Sequence, residues 1–343
     1  MKLLILGGTQ FLGRHIVESA LSHGHTVTLF NRGCSNPDIF PDVEKLRGDR
    51  NVDANALRGR TWDAVLDTSG FLPQSMKSIL EILKGSTAHY SFVSSLTIYA
   101  DLTVPDVPEC APTVDVDPYI DDSMVTPQSY GPLKLLCEKE VQLAFGDDAL
   151  IARPGLIVGP HDYTNRSAYW VERIAEGGQV LAPGSPSRRI QLIDARDVAD
   201  WLIQTSEAGQ SGVFNVGGPE RVLTMGEFLE TCVTECSSNT SLVWLDDQFL
   251  RERDVAYWSE LPLWLAESVP FRLDVSAAVR AGLRFRPLSV TIADVYSSIG
   301  SRRRSWPIES VWSSGGTVDV GMAREKEASI LAEWEQLSSG RHL

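Results

Sequence analysis

The chain has 343 residues and a formal net charge of −14, with 43% hydrophobic and 22% charged residues. These values are typical of a globular protein with one large domain or two closely packed ones. The acidic balance argues against nucleic-acid binding, because phosphate contacts need a basic surface.

Membrane, secretory and disulfide-rich classes are also disfavoured. No apolar run approaches the roughly 20 residues of a membrane span, and the opening MKLLILGG is too short for a signal peptide. The five cysteines are scattered and odd in number. Cys232 and Cys236 lie one helical turn apart without a second pair of metal ligands, so we expect buried thiols. The sequence predicts a reduced, cytoplasmic protein without a metal.

The N-terminal half alternates apolar runs with helical patterns. Strands are predicted at KLLILGG, HTVTLFNRG, a short segment near residues 45–48, WDAVLDTSG and AHYSFVSS, and helices at FLGRHIVESALSHG and PQSMKSILEILKG. Such alternation predicts an α/β fold, a Rossmann-type doubly wound parallel sheet. Right-handed crossovers place the carboxyl ends of the strands, and any ligand, along one edge.

The second half continues this pattern and then changes. A helix is predicted from YGPLK through LLCEKEVQLAFG, with strands at ALIARPGLIVG, RRIQLID and GVFNVGG. We expect an NAD(P)-binding domain at residues 1–160, with returning segments at about 190–220. A smaller mixed substrate lobe is expected at about 161–189 and 221–300, and a C-terminal connection and helix at 301–343.

The first strand–helix turn carries a glycine-rich segment, GGTQFLG. A helix N-terminus offers free N–H groups and a partial positive charge to a pyrophosphate. Gly7 would allow the tight turn and Gly13 the close approach of helix and strand. The candidate cofactor contacts are Gly7, Thr9, Gln10, Phe11, Leu12 and Gly13. A plain strand–helix turn is the alternative.

The second strand ends in Asn31 and Arg32. A protein that binds NAD usually has Asp or Glu here, which accepts from the ribose 2′-OH. Asn31 and Arg32 instead offer donors suited to a 2′-phosphate. The sequence therefore favours NADP over NAD, with a solvated arginine in a turn as the alternative.

Ser95, Tyr130 and Lys134 form a candidate proton-transfer site. Ser95 follows a predicted strand, which brings it to the same edge as the glycine-rich turn. Tyr130 and Lys134 are four residues apart and share a helix face. A neighbouring ammonium favours the phenolate, so we expect the pKa of Tyr130 to fall from about 10 towards 7. By itself, such an aromatic–lysine pair is often an ordinary surface contact.

Several segments together resemble the extended short-chain dehydrogenase/reductase superfamily, in its NAD-dependent epimerase/dehydratase branch. They are GGTQFLG, FVSSLTIYA, YGPLK, ARPGLIVGP, LIDARDVADW and GVFNVGGP, and they cover about residues 1–220. DVSAAVRAGLRFRPLSVTIADV extends the likeness towards the C-terminus.

This resemblance implies roles for individual residues. Tyr130 would be the general acid/base, Lys134 would hold the nicotinamide ribose hydroxyls, and Ser95 would bond the substrate oxygen. Further cofactor contacts are implied for Asp49, Thr68, Ser69, Gly70, Pro154 and Leu156. Relatives often pair through the helix that bears the Tyr–Lys pair, so a homodimer is one expectation.

Three departures from the family pattern bear on function. Gln10 replaces the middle glycine of the turn, as in a related group similar to chloroplast stem-loop-binding proteins. Leu96 and Thr97 stand where nucleotide-sugar dehydratases have Asp and Glu, which disfavours dehydration. Leu156 stands where nucleotide-sugar enzymes often have Asn, which disfavours such a substrate.

Substrate contacts are expected from Thr97, His161, Asp162 and Arg189. Tyr169, Trp170, Trp258 and Trp264 are predicted to be mainly core residues. Three functions remain open at this point. The first is an NADP-dependent ketoreductase acting on a small-molecule carbonyl or alcohol. The second is an NAD(P)-dependent sugar or nucleotide-sugar epimerase, and the third is a catalytically silent NADP- or RNA-binding protein.

Overall fold

The computed structural model describes residues 1–265, 272–299 and 320–340. The strands are β1 (Lys2–Leu6), β2 (Thr26–Asn31), β3 (Glu44–Arg47), β4 (Trp62–Asp67), β5 (Thr87–Val93), β6 (Ala149–Pro154), β7 (Leu156–Val158), β8 (Gln179–Pro183), β9 (Arg189–Ile190), β10 (Leu192–Asp194), β11 (Gly212–Val216), β12 (Leu223–Thr224) and β13 (Ser241–Leu245). The helices are α1 (Phe11–Ser22), α2 (Pro73–Leu83), α3 (Tyr130–Phe145), α4 (Arg166–Ala175), α5 (Ala195–Glu207), α6 (Met225–Glu235), α7 (Asp247–Arg251), α8 (Ser276–Arg280), α9 (Leu288–Ile299) and α10 (Arg324–Gly340).

Seven strands form the central sheet, in the order β11-β6-β5-β4-β1-β2-β3. All neighbours in it pair in parallel. The inner strands are apolar because helices cover both faces, and four of the five residues of β1 are buried. The order reverses beside β1, so this edge is the switch point where open α/β sheets bind ligands. The predicted Rossmann-type fold is confirmed.

Helices pack on both faces of this sheet. On one face α1 packs against α5, in a core with Ile16, Leu29 and Trp201. On the other face α2 packs against α3, in a core with Ile79, Phe92 and Val141.

A third apolar core lies in a smaller lobe. It is built from α4, α6, α9 and the parallel pair β8–β13, around Trp170, Phe228 and Trp264. Tyr169 and Trp170 are buried there, as predicted. The predicted strand ALIARPGLIVG is interrupted at Gly155, because β6 pairs with the central sheet and β7 with β10.

Two sequence predictions concern the ends of the fold. The C-terminal helix is α10, whereas the predicted connection at residues 301–319 lies outside the described residues. The limits of the two predicted domains stay a prediction. Within the described ranges, no helix has both the length and the apolar character that crossing a bilayer requires.

Candidate active site

The glycine-rich turn between β1 and α1 leaves room for an anion. Gly7 and Gly8 have φ of +110° and +87°, and a Cβ at Gly13 would lie 2.8 Å from the amide nitrogen of Gly8. Gln10 is the exposed, extended N-cap of α1 and makes no side-chain cap hydrogen bond. The first turn of α1 has no acidic residue. The residues present therefore fit a dinucleotide pyrophosphate, held by backbone N–H groups.

Asn31 organises the end of β2. Its Nδ2 donates to the carbonyl oxygen of Gly7 at 2.8 Å. Its Oδ1 accepts from the amide of Gly33 at 3.0 Å and from the guanidinium of Arg47. The side chains of Arg32 and Arg47 are both exposed here. Sequence reasoning missed Arg47, although the parallel register places it beside Asn31.

The loop after β4 faces the glycine-rich turn from the other side, and we call the space between this loop and the turn the cradle. The hydroxyls of Thr68 and Ser69 each donate to the carbonyl oxygen of Leu6 at 3.2 Å. Thr68 approaches so closely that its Oγ1 would lie 2.8 Å from a Cβ at Gly7. Asp49, the predicted adenine contact, follows β3, and its Oδ1 accepts from the amide of Asn51 at 2.9 Å.

The buried ion pair between Arg50 and Asp67 holds this loop in place. Arg50 donates to both carboxylate oxygens of Asp67, at 2.8 and 2.9 Å, and to Ser69 Oγ at 2.8 Å. Asp67 is fully buried and also accepts from the Tyr90 hydroxyl at 2.8 Å. Burial alone would raise the pKa of Asp67, but the charge and hydrogen bonds of Arg50 outweigh it, so the pKa is lowered.

Ser95 and Tyr130 are brought together at the edge next to this loop. Ser95 Oγ accepts from the amide and from the hydroxyl of Thr97, at 3.2 and 3.0 Å, and is hydrogen-bonded to Tyr130. Because a hydroxyl has one donor and two lone pairs, the two bonds from Thr97 leave the hydrogen of Ser95 for the bond to Tyr130. A Cβ at Gly131 would lie only 2.3 Å from the carbonyl oxygen of Thr97, so this approach requires glycine.

Tyr130 carries its proton at neutral pH. Burial raises its pKa to about 12, against the lowering effects of the Ser95 hydrogen bond and the charge of Arg166. The expected fall towards 7 was wrong for the protein by itself. The physical reason is that burial dominates, while the ammonium of Lys134 points elsewhere.

Lys134 is clamped between two strand ends. Its Nζ donates to the carbonyl oxygens of Gly70 and Val93, both at 2.8 Å. The rings of Phe71 and Phe92 flank it at 4.6 and 4.7 Å, and the residue is 2% exposed. Burial lowers its pKa to about 8. An ammonium has three donors, so these bonds leave one for a ribose hydroxyl.

A second buried ion pair fixes helix α3. Glu138, two turns after Tyr130 on α3, accepts from Arg153 of β6 at 3.0 and 2.7 Å. Arg153 also donates to the Tyr99 hydroxyl at 3.1 Å. These contacts set the height of α3 against the central sheet and therefore the position of Tyr130.

The predicted substrate residues do not all lie in one place. Leu156 and Arg189 line a cavity of about 10 Å³ with Trp258. The Oδ1 of Asp162 is engaged by the amide and hydroxyl of Thr164, at 2.8 and 2.7 Å, which gives it a part in the turn. The ring of His161 lies 5.9 Å from that of His15 on α1. Pro154 ends β6.

Sequence reasoning missed Arg166, the first residue of α4. Its guanidinium lies 4.8 Å from the centre of the Trp258 ring. It is also close enough to Tyr130 for each to shift the pKa of the other. Trp258 is half-buried, whereas Trp264 is fully buried in the core. An arginine that opens a helix just after the loop following β7 is the only signal the sequence offered.

Two further features lie apart from the Ser–Tyr–Lys residues. A cavity of about 370 Å³ is lined by residues that include Asp194, Pro219 and Arg286. His23, His25 and Glu207 place possible ligand atoms within 4.8 Å of one another. These three lie where α1 and α5 end and β2 begins, at the sheet edge opposite the cradle, and His–Glu contacts account for the cluster.

Comparisons with known proteins show what the chain is similar to. The model of the NAD-dependent epimerase/dehydratase family matches residues 74–217. The chloroplast stem-loop binding protein of 41 kDa b from Arabidopsis thaliana is 26% identical over 249 residues, which are 67% of this chain and 62% of that protein. The chain thus spans less than two thirds of the length of this relative.

Solved structures share the fold over most of the chain. A protein from Burkholderia cenocepacia J2315 described as an epimerase covers 88% of this chain and 98% of its own, with a TM-score of 0.67 and 20% identity. The UDP-glucuronic acid 4-epimerase from Bacillus cereus, solved with NAD, covers 88% and 99%, with a TM-score of 0.65 and 15% identity. The chain is therefore similar to the NAD-dependent epimerase/dehydratase family over residues 74–217 and shares its fold with these solved structures.

Proposed function

We propose that the protein is an NADP-dependent reductase that converts a small-molecule ketone or aldehyde to an alcohol. The observation that carries this proposal is the Ser95–Tyr130 hydrogen bond beside the cradle, with Tyr130 in its protonated form. A reduction needs a proton donor at the start of each turnover, and a phenol with a pKa of about 12 is one. Oxidation would need the phenolate, which at pH 8 is roughly one molecule in 10⁴ for such a pKa.

Ser95, Tyr130 and Lys134 would each have a separate role in the reduction of the substrate carbonyl. When bound, NADPH supplies the hydride. With the substrate bound, the Ser95 hydrogen would turn from Tyr130 to the substrate oxygen, while both bonds from Thr97 stay in place. Tyr130 gives its proton to the same oxygen as negative charge develops there. Lys134 stabilises the phenolate that remains and holds the ribose of the cofactor.

The cofactor preference rests on charge at the end of β2. Two exposed arginines, Arg32 and Arg47, stand there, and Asn31 replaces the carboxylate that would repel a 2′-phosphate. Charge-assisted hydrogen bonds to an anion contribute about 1.5–3 kcal/mol each. We therefore expect Arg47→Ala to weaken NADPH binding roughly tenfold or more and to leave NADH binding unchanged. Arg58→Ala, an exposed arginine outside the cradle, is the matched control.

An epimerase is the second candidate, and the family description favours it. An epimerase oxidises and re-reduces one carbon and keeps its cofactor bound, whereas a reductase exchanges its cofactor in each cycle. Leu156, where nucleotide-sugar enzymes often have Asn, supports the reductase. The relative named for stem-loop binding suggests RNA as a ligand, but the net charge of −14 argues against it. Cytoplasmic location and a homodimer belong to the same proposal.

The test is a titration of the purified protein with NADPH and NADH, followed by a screen of small carbonyl compounds for NADPH oxidation. We expect exchangeable NADPH that binds at least tenfold more tightly than NADH. Tyr130→Phe should bind NADPH normally and lose turnover by about 10²–10⁴-fold. Near-normal turnover in that variant would refute the proton-donor role. NAD that stays bound through purification would favour the epimerase.

A further inference from the structure

Arg166 begins α4 in the smaller lobe and is close enough to Tyr130 for the two groups to interact electrostatically. Its Nε is buried and has no hydrogen-bond partner among the described residues. Burial lowers the pKa of this arginine, because its charge is poorly solvated. Buried donors are normally satisfied, and Arg166 as a whole is only half-buried, so its guanidinium is suited to an anion that arrives from outside.

The surroundings hold Arg166 in place and aim it. The Cζ of Arg166 lies over the Trp258 ring, 4.8 Å from its centre, and this cation–π contact holds the guanidinium in place. Trp258 itself has a φ of +64°, fixed by a hydrogen bond from its amide to the carbonyl oxygen of Trp264 at 3.2 Å. A bulky residue in that region is strained, and such strain is concentrated at functional sites.

The charged and titratable groups around Arg166 belong to the catalytic side. Asp162, Tyr163 and Tyr130 are the groups that act on its charge. Asp162 has the largest of these charge effects, and its Oδ1 also accepts two hydrogen bonds from Thr164 in the preceding turn. Arg166 therefore faces the proton donor from the side of the smaller lobe.

We propose that Arg166 binds an anionic group of the substrate, a carboxylate or a phosphate, and so selects anionic carbonyl compounds. This inference rests on the proposed reductase function. Arginine binds both anions through two parallel N–H···O bonds, which would orient the carbonyl towards Tyr130. The pyrophosphate of the cofactor is the other anion within reach, since Tyr163 packs on Phe11 at the start of α1 with ring centres 6.2 Å apart. The contact with Trp258 and the charge interaction with Tyr130 favour the substrate.

The experiment is a titration of inorganic phosphate and of levulinate, a keto carboxylate, into the protein saturated with NADPH, followed by calorimetry. It compares the wild type with Arg166→Gln, Arg166→Lys and Arg221→Gln. Arg221→Gln removes a charge at a surface ion pair and is the matched control. We expect at least one of the anions to bind the wild type, Arg166→Gln to weaken it about 10- to 100-fold, and Arg166→Lys to restore part of the loss. Methyl levulinate, which lacks the charge, should bind the wild type no better than Arg166→Gln binds levulinate.

Several results would overturn this assignment. It fails if neither anion binds the wild type, or if Arg166→Gln binds both as well as Arg221→Gln does. It also fails if Arg166→Gln weakens NADPH binding instead, because the anion would then be the cofactor's own. If NADPH does not bind at all, the reductase proposal fails, and the same titration without cofactor still tests Arg166.

Discussion

Replacing Asp67 by Asn should destabilise the protein far more than its single lost charge would suggest. Asn is nearly isosteric but leaves Arg50 as an uncompensated charge that had two bonds to the carboxylate, at 2.8 and 2.9 Å. Removing one partner of a buried ion pair costs about 3–5 kcal/mol. Asn keeps only one acceptor oxygen, so either the Tyr90 hydroxyl or the amide of Ser69 loses its acceptor, which acts in the same direction.

Equilibrium urea unfolding at pH 7 measures this loss. Glu227→Gln is the control, because it breaks the exposed pair with Arg221 and should cost less than about 1 kcal/mol. The double variant Arg50→Met with Asp67→Asn should recover most of the loss, since the buried charge is gone. A loss for Asp67→Asn no larger than that of Glu227→Gln would refute the reasoning.

The same pair predicts a pH dependence of stability. The pKa of Asp67 is lowered in the folded protein, so the stabilisation is fully present above the ordinary pKa of Asp, about 3.9. It is lost as the pH falls through the lower folded value. Asp67→Asn should lack this step in a comparison of unfolding free energies between pH 5 and pH 2, and an identical acid profile in both proteins would contradict the assignment.

Three further predictions concern turnover. Gly131→Ala should lower kcat about 10²-fold, because its Cβ would lie 2.3 Å from the carbonyl oxygen of Thr97. Gly155→Ala is the control, because its Cβ would meet no atom nearer than 3.7 Å. Equal kcat values for the two variants would count against the close approach of Gly131 to Thr97. Thr97→Val should lower kcat about three- to tenfold with little change in KM, and Thr97→Ser should restore it; a loss in KM alone would point to a substrate contact instead. The kcat of reduction should be level below pH 8 and fall as Lys134, whose pKa is about 8, loses its charge; a fall centred below pH 7 would instead indicate a tyrosine with a strongly lowered pKa.

Local patterns made much of the fold predictable. The apolar run of β1, the glycine turn and the period of α1 follow one another in the sequence, and each is decided by neighbouring residues. The Tyr130–Lys134 spacing is equally local. Right-handed crossovers then place the carboxyl ends of the strands along one edge, whereas the order of the strands was not predicted.

The site was predictable only where local sequence decides it. The pKa of Tyr130 depends on burial by residues far along the chain, so the sequence suggested the wrong direction. Arg166 has meaning only once Trp258 is folded against it, 92 residues later in the sequence. The bonds from Lys134 to Gly70 and Val93 join the ends of two strands that the sequence placed correctly but could not orient.

The two hydrogen bonds of the Lys134 ammonium affect what conservation of Ser95, Tyr130 and Lys134 would mean among homologues. Because its ammonium satisfies two carbonyl oxygens in the interior, selection for folding alone is enough to retain it. A descendant that lost its chemistry would keep the lysine and be free to drift at Ser95 and Tyr130. In homologues of this chain, Ser95 and Tyr130 are therefore the positions that indicate retained catalytic activity. Lys134 indicates only that the fold is retained.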